Sequence, residues 1–316
     1  MKKRRSILAP LMLIAATLTG LPAQAADKMT VLLDWFVNPD HAPLIVAREK
    51  GYFTDAGLDV ELIAPADPND PPKLVAAGRA DIAVSYQPQL HVQVEAGLPL
   101  VRIGTLVATP LNSLVVLKDG PIKSIADLKG KKVGYSIGGF EDAILGKMLS
   151  KAGLSLKDVT LINVNFSLSP SIISGQVDAV IGAFRNFELN QMDIVGKPGK
   201  AFYPEEEGVP PYDELILVAN KESLSNDRLR RFVNAVERGT QFLVNHPDEA
   251  WNLFIGAHKD LNDELNKRAW AATLPRFALR PAALDKARYE RFAVFLKEQK
   301  LIKNIPALDT YAVELP

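Results

Sequence analysis

Short apolar strands alternate with helices through the first two thirds of this chain, and that alternation limits the possible folds more than any other feature. The first unit has predicted strands at 58–62, 82–85 and 100–103, with helical segments between them. Strands joined through helices form crossovers in a mostly parallel sheet. The sequence therefore predicts an α/β protein.

A second unit of the same kind begins near residue 121, with predicted strands at 132–135, 161–164 and 179–181. In both units a glycine, and an aspartate three residues later, precede an apolar strand and a loop that carries an aromatic residue. Glycine commonly ends a helix and aspartate commonly bonds a turn, so these two positions are structural. The functional point is that two domains end corresponding strands in aromatic loops.

The chain then returns through a strand at 215–219 and becomes almost wholly helical; the predicted helices are 227–245, 247–256, 262–273 and 281–300. Helices in this position usually complete the first domain. We therefore expect lobe I to comprise residues 26–116 and 216–316, and lobe II residues 117–215. Segments near 113–117 and 213–217 would cross between the lobes as a two-strand hinge.

Residues 1–25 have the parts of a secretory signal peptide: Lys2 to Arg5 precede an apolar run at 7–21, and Ala23 to Ala25 supply small residues for cleavage. A retained membrane anchor is the weaker alternative, because the run is shorter than the ~20 residues that a span needs. The chain contains no cysteine that could carry a lipid. We expect export to a periplasm.

The charge of the chain argues against two classes of partner. The sequence has 37 basic and 37 acidic residues, and cleavage of the signal peptide would remove four basic residues, leaving a net charge of −4. Nucleic acids and anionic membranes attract positively charged proteins, so we expect neither as a partner.

The loop after the first strand carries four candidate ligand-binding residues: Asp34, Trp35, Asn38 and His41. Asp40 fits the position that caps the following helix. Ligands of open α/β sheets bind beyond the carboxyl ends of the strands, which is where this loop lies.

Aromatic side chains at the strand ends can stack on a flat heteroaromatic ligand; these are Trp35, Tyr86, Phe184 and Phe187. Each well-placed ring contributes about 0.5 to 1.5 kcal/mol beyond the burial of its area. Core packing is the alternative, most of all for Phe187 and Phe184, because aromatic residues are often buried. Trp35 and Tyr86 also carry a polar group, which favours a binding role.

Asp34, Glu141 and Glu188 are the carboxylates nearest the predicted strand ends, and they can accept hydrogen bonds from amino groups. Such charge-assisted bonds contribute ~1.5 to 3 kcal/mol each. Glu141 has an equally strong alternative role, since an acidic residue in the first turn of a helix is favourable without any ligand. Asn186 lies in the same loop as Glu188.

An anionic ligand is the main alternative. Arg185 could bind a sulfonate, carboxylate or phosphate, and Gly138 and Gly139 before a helix could cradle an anion. Glu141 at the start of that helix opposes this interpretation. A solvated arginine is also more common than one that binds a ligand.

Catalysis has little support. The four histidines (His41, His91, His246 and His258) show no close metal-ligand spacing, and the chain offers no cysteine nucleophile. We therefore expect no cofactor, no metal and no enzymatic activity.

Six motifs together carry a specific resemblance; they are Leu33-Asp34-Trp35-Phe36, Asn38-Pro39-Asp40-His41, Lys50-Gly51-Tyr52-Phe53, Ala77-Gly78-Arg79-Ala80-Asp81, Ser85-Tyr86-Gln87-Pro88 and Tyr135-Ser136-Ile137-Gly138-Gly139-Phe140-Glu141. Over essentially the whole mature chain the sequence resembles the NMT1/THI5-like substrate-binding proteins of ABC importers. The resemblance implies a type II periplasmic binding protein fold, with two α/β lobes and a two-strand hinge. It also implies a monomer that works with a permease in the inner membrane.

Within this family the chain most resembles the branch that binds a thiamine pyrimidine precursor, either formylaminopyrimidine or hydroxymethylpyrimidine. Several motifs recur in nitrate, sulfonate and taurine binders, so an anion remains the alternative ligand. Pyrimidine synthases are similar around Asp34 to His41 but carry a cysteine-rich iron site that this chain lacks. The expected ligand contacts are Asp34, Trp35, Asn38, His41, Tyr86, Gly138, Gly139, Glu141, Phe184, Asn186 and Glu188.

Cleavage after Ala25 would give a mature protein that begins at Ala26 and leaves the cell on osmotic shock. Mass spectrometry of the released protein from a Gram-negative host should find that terminus. An intact Met1 on the soluble protein would contradict the prediction.

Overall fold

The computed structural model describes residues 25–315. Apart from Ala25, the predicted signal peptide lies outside these residues. No helix within residues 25–315 is both long enough and apolar enough to cross a membrane. The chain forms two five-stranded sheets flanked by helices, which confirms the predicted α/β class with two lobes.

The first sheet contains, in order across it, β2 (Leu58–Ile63), β1 (Asp27–Leu32), β3 (Ile82–Ser85), β10 (Leu215–Asn220) and β4 (Leu100–Val107). β1 runs parallel to β2 and β3, whereas β10 runs antiparallel to β3 and β4. The sheet is thus mixed rather than mostly parallel, because β10 re-enters it from the other lobe. Every residue of β3 and β4 is buried.

The second sheet repeats this arrangement with β7 (Thr160–Asn163), β6 (Lys132–Tyr135), β8 (Ala179–Phe184), β5 (Asn112–Leu117) and β9 (Gly199–Phe202). β6 is parallel to β7 and β8, and β5 is antiparallel to β8 and β9. In both sheets the parallel strands therefore direct their carboxyl ends toward one edge, which is where a ligand site is expected.

The helices are α1 (Ala42–Glu49), α2 (Tyr52–Asp55), α3 (Pro71–Ala76), α4 (Gln87–Glu95), α5 (Glu141–Lys151), α6 (Leu168–Ile173), α7 (Glu188–Ile194), α8 (Asp227–Asn245), α9 (Pro247–Ala257), α10 (Glu264–Thr273) and α11 (Lys286–Glu298). The long helix α8 packs on α1. Their close approach requires Gly239, since a Cβ there would lie 2.6 Å from the carbonyl oxygen of Pro43. Helices α8 and α9 thus both pack on α1.

We name the lobes by their sheets: lobe I is residues 25–107 and 215–315, and lobe II is residues 112–202. The crossings are therefore residues 108–111 and 203–214. The predicted first crossing at 113–117 is instead part of β5, which pairs only within the second sheet. The sequence of β5 does not show which sheet it joins, because a strand buried in either sheet would have the same apolar pattern. The predicted boundary at residue 116 accordingly falls inside a lobe II strand.

The two crossings are tied together by a buried carboxylate. Glu214 accepts hydrogen bonds from the backbone N–H groups of Leu111 (2.5 Å) and Asn112 (2.9 Å). Burial raises the pKa of Glu214 to about 7. A side-chain oxygen of Glu214 thus links the two crossings, where a regular two-strand hinge would use backbone hydrogen bonds.

Arg102 fixes the C-terminal segment to lobe I. Its guanidinium, fully buried on β4, donates to the hydroxyl of Thr105 and to a set of backbone carbonyls: Pro281 (2.9 Å), Ala282 (2.8 Å), Ala283 (2.6 Å) and Val313 (3.1 Å). Residues 281–285 are therefore held outside a helix, which is why α11 begins at Lys286 rather than at the predicted residue 281.

Arg102→Leu should destabilise the protein strongly, because it leaves several buried carbonyls without donors. Each unsatisfied group costs about 1 to 3 kcal/mol, so the loss in free energy of unfolding should be at least ~3 kcal/mol in urea titrations. Arg102→Lys, which keeps three donors, should lose less. Arg280→Leu, a matched change at an exposed arginine, should stay within about 0.5 kcal/mol. An equal loss in the two leucine variants would contradict this account.

Candidate functional site

A narrow pocket lies between the lobes at the carboxyl ends of β1, β3, β6 and β8. Its walls are formed by Asp34, Trp35, Asn38, Asp40, Tyr86, Ser136, Ile137, Phe140, Glu141, Leu168, Gly182, Phe184, Phe187 and Glu188. The free cavity is about 20 Å³, which is room for roughly one water molecule. A larger ligand therefore requires the lobes to separate or the walls to move.

Asp34 is held by two side chains of its own lobe. Its Oδ1 accepts from Nε2 of His41 (2.9 Å) and its Oδ2 from the hydroxyl of Tyr86 (2.7 Å). The backbone N–H of Asn38 donates to Nδ1 of His41 (3.3 Å), so Nε2 must carry the ring proton. Each Asp34 oxygen keeps capacity for another donor. Burial raises the pKa of Tyr86 well above its usual value, so its hydroxyl stays a donor.

Asn38, and not Asp40, caps the turn at Pro39–His41. The Asn38 Oδ1 accepts from the backbone N–H of Asp40 (2.8 Å), so the predicted cap is wrong by two residues. The Asp40 carboxylate instead accepts from Nδ2 of Asn186 (2.6 Å) and from the hydroxyl of Thr273 (2.8 Å). Burial raises the pKa of Asp40 to about 6. This cluster joins lobe II to lobe I.

Glu141 lies at the start of α5 with its carboxyl group turned back into the site. Its Oε2 accepts from the backbone N–H groups of Ser136 (2.8 Å) and Ile137 (3.1 Å). Burial raises the pKa of Glu141 to about 8, in spite of those two bonds. Gly182 leaves room for this carboxyl group, because a Cβ there would overlap it.

Glu188 occupies the equivalent position at the start of α7. Its Oε2 accepts from the backbone N–H of Phe184 (2.7 Å). Burial, and to a smaller extent the charge of nearby Asp40, raise the pKa of Glu188 to about 7. The pocket wall thus contains four buried carboxyl groups, those of Asp34, Asp40, Glu141 and Glu188, that act mainly as hydrogen-bond acceptors.

Aromatic rings cover the remaining walls. Tyr86 lies 5.3 Å from Phe140 at 30° and 6.4 Å from Phe184 at 86°. Trp35 meets Phe166 of lobe II edge to face at 4.6 Å, which closes the mouth between the lobes. A flat ligand could therefore contact aromatic groups of both lobes.

The structure separates the predicted residues into three groups. Those that line the pocket are Asp34, Trp35, Asn38, Tyr86, Glu141, Phe184 and Glu188. His41 and Asn186 are buried behind the wall, where they orient Asp34 and Asp40. Gly138 and Gly139 are exposed and lie outside the wall, so the predicted glycine cradle is not part of this pocket.

Sequence reasoning missed some lining residues: Asp40, Ser136, Ile137, Phe140, Leu168 and Gly182. A glycine inside a strand can signal close approach by another group, and Gly182 fits that signal. Leu168 has no such signal, because its helix reaches the site only through the tertiary fold. Phe187 lines the pocket, whereas the sequence favours a role in core packing for this residue.

Arg185 does not line the pocket. Its guanidinium pairs with both oxygens of Glu205 (2.5 and 3.0 Å), donates to the carbonyl of Asn112 (3.0 Å) and stacks on Tyr203. It therefore serves the lobe crossings, which removes the main residue on which the anion alternative rested.

Comparison with known families and proteins identifies the family to which this sequence is similar. A family model described as NMT1/THI5 like matches residues 38–250. A Haemophilus influenzae protein described as a thiamine biosynthesis protein is 56% identical over 93% of this chain and 94% of its own length. The formylaminopyrimidine-binding protein of Halalkalibacterium halodurans is 36% identical over 81% of this chain and 79% of its own.

More distant similarities extend to an enzyme and to a solved structure. A 4-amino-5-hydroxymethyl-2-methylpyrimidine phosphate synthase of Saccharomyces cerevisiae is 26% identical over 78% of this chain and 76% of its own length. The alkanesulfonate-binding protein of Xanthomonas axonopodis, solved with MOPS, superposes with a TM-score of 0.69 at 15% identity and covers 92% of this chain and 98% of its own. That likeness concerns the fold alone.

Stability should fall as pH rises from about 4.5 to 8, because folded Glu141 keeps a proton that the unfolded chain loses above its ordinary pKa of 4.5. Glu141→Gln keeps an acceptor for Ser136 and Ile137 but cannot titrate. Urea unfolding at pH 5, 6.5 and 8 should therefore show a smaller fall for this variant than for wild type. Glu298→Gln, at an exposed position, is the control and should follow wild type. Equal falls in all three proteins would refute the assignment.

Proposed function

This chain belongs to the NMT1/THI5-like family, and we propose that it is the substrate-binding protein of an ABC importer. It captures a thiamine pyrimidine precursor, formylaminopyrimidine or hydroxymethylpyrimidine, between its two lobes and delivers it to the permease. The similarity to a formylaminopyrimidine-binding protein over most of both chains supports this ligand class.

The observation that carries the proposal is the set of acceptors in the pocket. Asp34, Glu141 and Glu188 are all buried there, and no lysine or arginine is among the lining residues of the described chain. An aminopyrimidine supplies the matching donor through its exocyclic amine. A bond from such a donor to an ionised carboxylate contributes ~1.5 to 3 kcal/mol.

The aromatic walls suit the same ligand. Tyr86 and Phe184 belong to different lobes, so a flat ring between them would contact both and would favour the closed state over the open one. Trp35 adds an aromatic surface at the mouth of the pocket. A sulfonate or nitrate would bring negative charge beside four carboxyl groups, with no lysine or arginine among the lining residues that the structure describes.

Binding without turnover is the second part of the proposal. The synthase similarity is more distant than the similarity to binding proteins. The cysteine-rich iron site of the synthases has no counterpart in a chain without cysteine. We further propose that the protein acts in the periplasm, because residues 1–25 have the pattern of an export signal. The monomeric state is proposed from the resemblance to this family.

Calorimetric titration should show binding of the aminopyrimidines and none of a small alkanesulfonate. Glu188→Gln keeps the size of the side chain and an acceptor for the Phe184 N–H, but it removes the charge. In titrations at pH 8, above the pKa of about 7 to which burial raises Glu188, this change should weaken pyrimidine binding by about ten- to a hundred-fold.

Glu298→Gln makes the same chemical change far from the pocket and should bind like wild type. Tighter binding of the sulfonate than of the pyrimidine by wild type would overturn the proposed ligand. Unchanged affinity in folded Glu188→Gln would exclude the role assigned to that carboxylate.

A further inference from the structure

The lobes also meet outside the pocket, and one of these contacts is made by Asn69 of lobe I. Asn69 lies in the loop between β2 and α3. Its Nδ2 donates to the carbonyl of Ser136 (3.1 Å), and its Oδ1 accepts from the backbone N–H of Gly138 (3.3 Å). One amide group thus bonds two backbone groups of the other lobe, as a neighbouring strand would.

We propose that Asn69 is a positioning residue that holds the closed state and so sets how long a captured ligand stays bound. The ligand in this statement rests on the function proposed above. Asn69 is not among the residues that line the pocket, so its effect is exerted through the loop that it holds.

The Asn69 amide is oriented before the lobes meet. Asp67 of the same loop accepts from the backbone N–H (2.8 Å) and from Nδ2 (3.0 Å) of Asn69. These bonds lower the pKa of Asp67, so its carboxylate remains ionised as an acceptor. Because both Asp67 and the Ser136 carbonyl require a donor, Nδ2 must face them and Oδ1 must face Gly138. Little rotamer freedom is then lost on closure.

The loop that Asn69 holds also orients a carboxyl group of the pocket. Glu141 accepts from the N–H groups of Ser136 and Ile137, while Asn69 bonds the Ser136 carbonyl and the Gly138 N–H. The loop at residues 136–138 therefore uses some of its backbone groups to orient Glu141 and others to bond Asn69 of the other lobe.

The test compares Asn69→Ala with Asn220→Ala. The Asn220 side chain makes equivalent bonds wholly within lobe I, to the carbonyls of Val75 and Ala76 and from the Glu222 N–H. Stopped-flow displacement of formylaminopyrimidine should show release about 5- to 50-fold faster from Asn69→Ala, the effect of losing two neutral hydrogen bonds. Asn220→Ala should release the ligand at the wild-type rate despite a similar loss of stability.

A second measurement needs no ligand. The chain has no cysteine, so Arg79→Cys in lobe I and Lys157→Cys in lobe II, both exposed, allow specific labelling for energy transfer. Asn69→Ala should lower the closed fraction of the unliganded protein, and Asn220→Ala should not. Wild type that binds no pyrimidine would sink the proposed function, while this shift would still support the lobe contact. An unchanged closed fraction with unchanged release would overturn the role of Asn69, as would equal effects in the two variants.

Discussion

Burying four carboxyl groups in one cleft is the constraint on which the rest of the site depends. A buried charge is strongly unfavourable unless hydrogen bonds compensate it. Three of the four have donors from their own lobe: His41 and Tyr86 serve Asp34, and backbone N–H groups of lobe II serve Glu141 and Glu188. The acceptors are therefore oriented before the lobes close, and the capacity that remains on them faces the cleft. A ligand with donor groups meets a prepared surface on both sides.

The contacts between lobes use different residues from those that prepare the acceptors. Asn186 reaches Asp40 and Thr273, and Asn69 reaches the loop at Ser136, so these bonds exist only when the lobes are together. Recognition and closure are thus physically separable, because one depends on bonds within lobes and the other on bonds between them. Asp40 belongs to both groups, since it lines the pocket and accepts from Asn186. Its state of protonation therefore bears on both processes.

The sequence predicts the local part of this architecture well and the tertiary part poorly. Strand and helix patterns located both α/β units, and the strand ends located Asp34, Trp35, Tyr86 and Glu188. These succeed because apolar periodicity and the position of a strand end are local properties. The sequence does not reveal that Leu168 lines the pocket or that Thr273 bonds Asp40, because each contact depends on an element that is distant in sequence. The first crossing was misplaced by several residues for the same reason, as β5 has one apolar pattern in either sheet.

Arg185 shows why a residue type at a strand end does not by itself define a ligand. In sequence its guanidinium is the best evidence for an anion, but in the fold it pairs with Glu205 and donates through Nε to the carbonyl of Leu111 in the first crossing (3.3 Å). Glu214 accepts from the N–H of that same residue. The crossing is thus bonded through both its N–H and its C=O groups, by opposite charges from lobe II and from the second crossing. The positive charge that an anionic ligand would need is neutralised in the hinge, which leaves the cleft to its carboxyl groups.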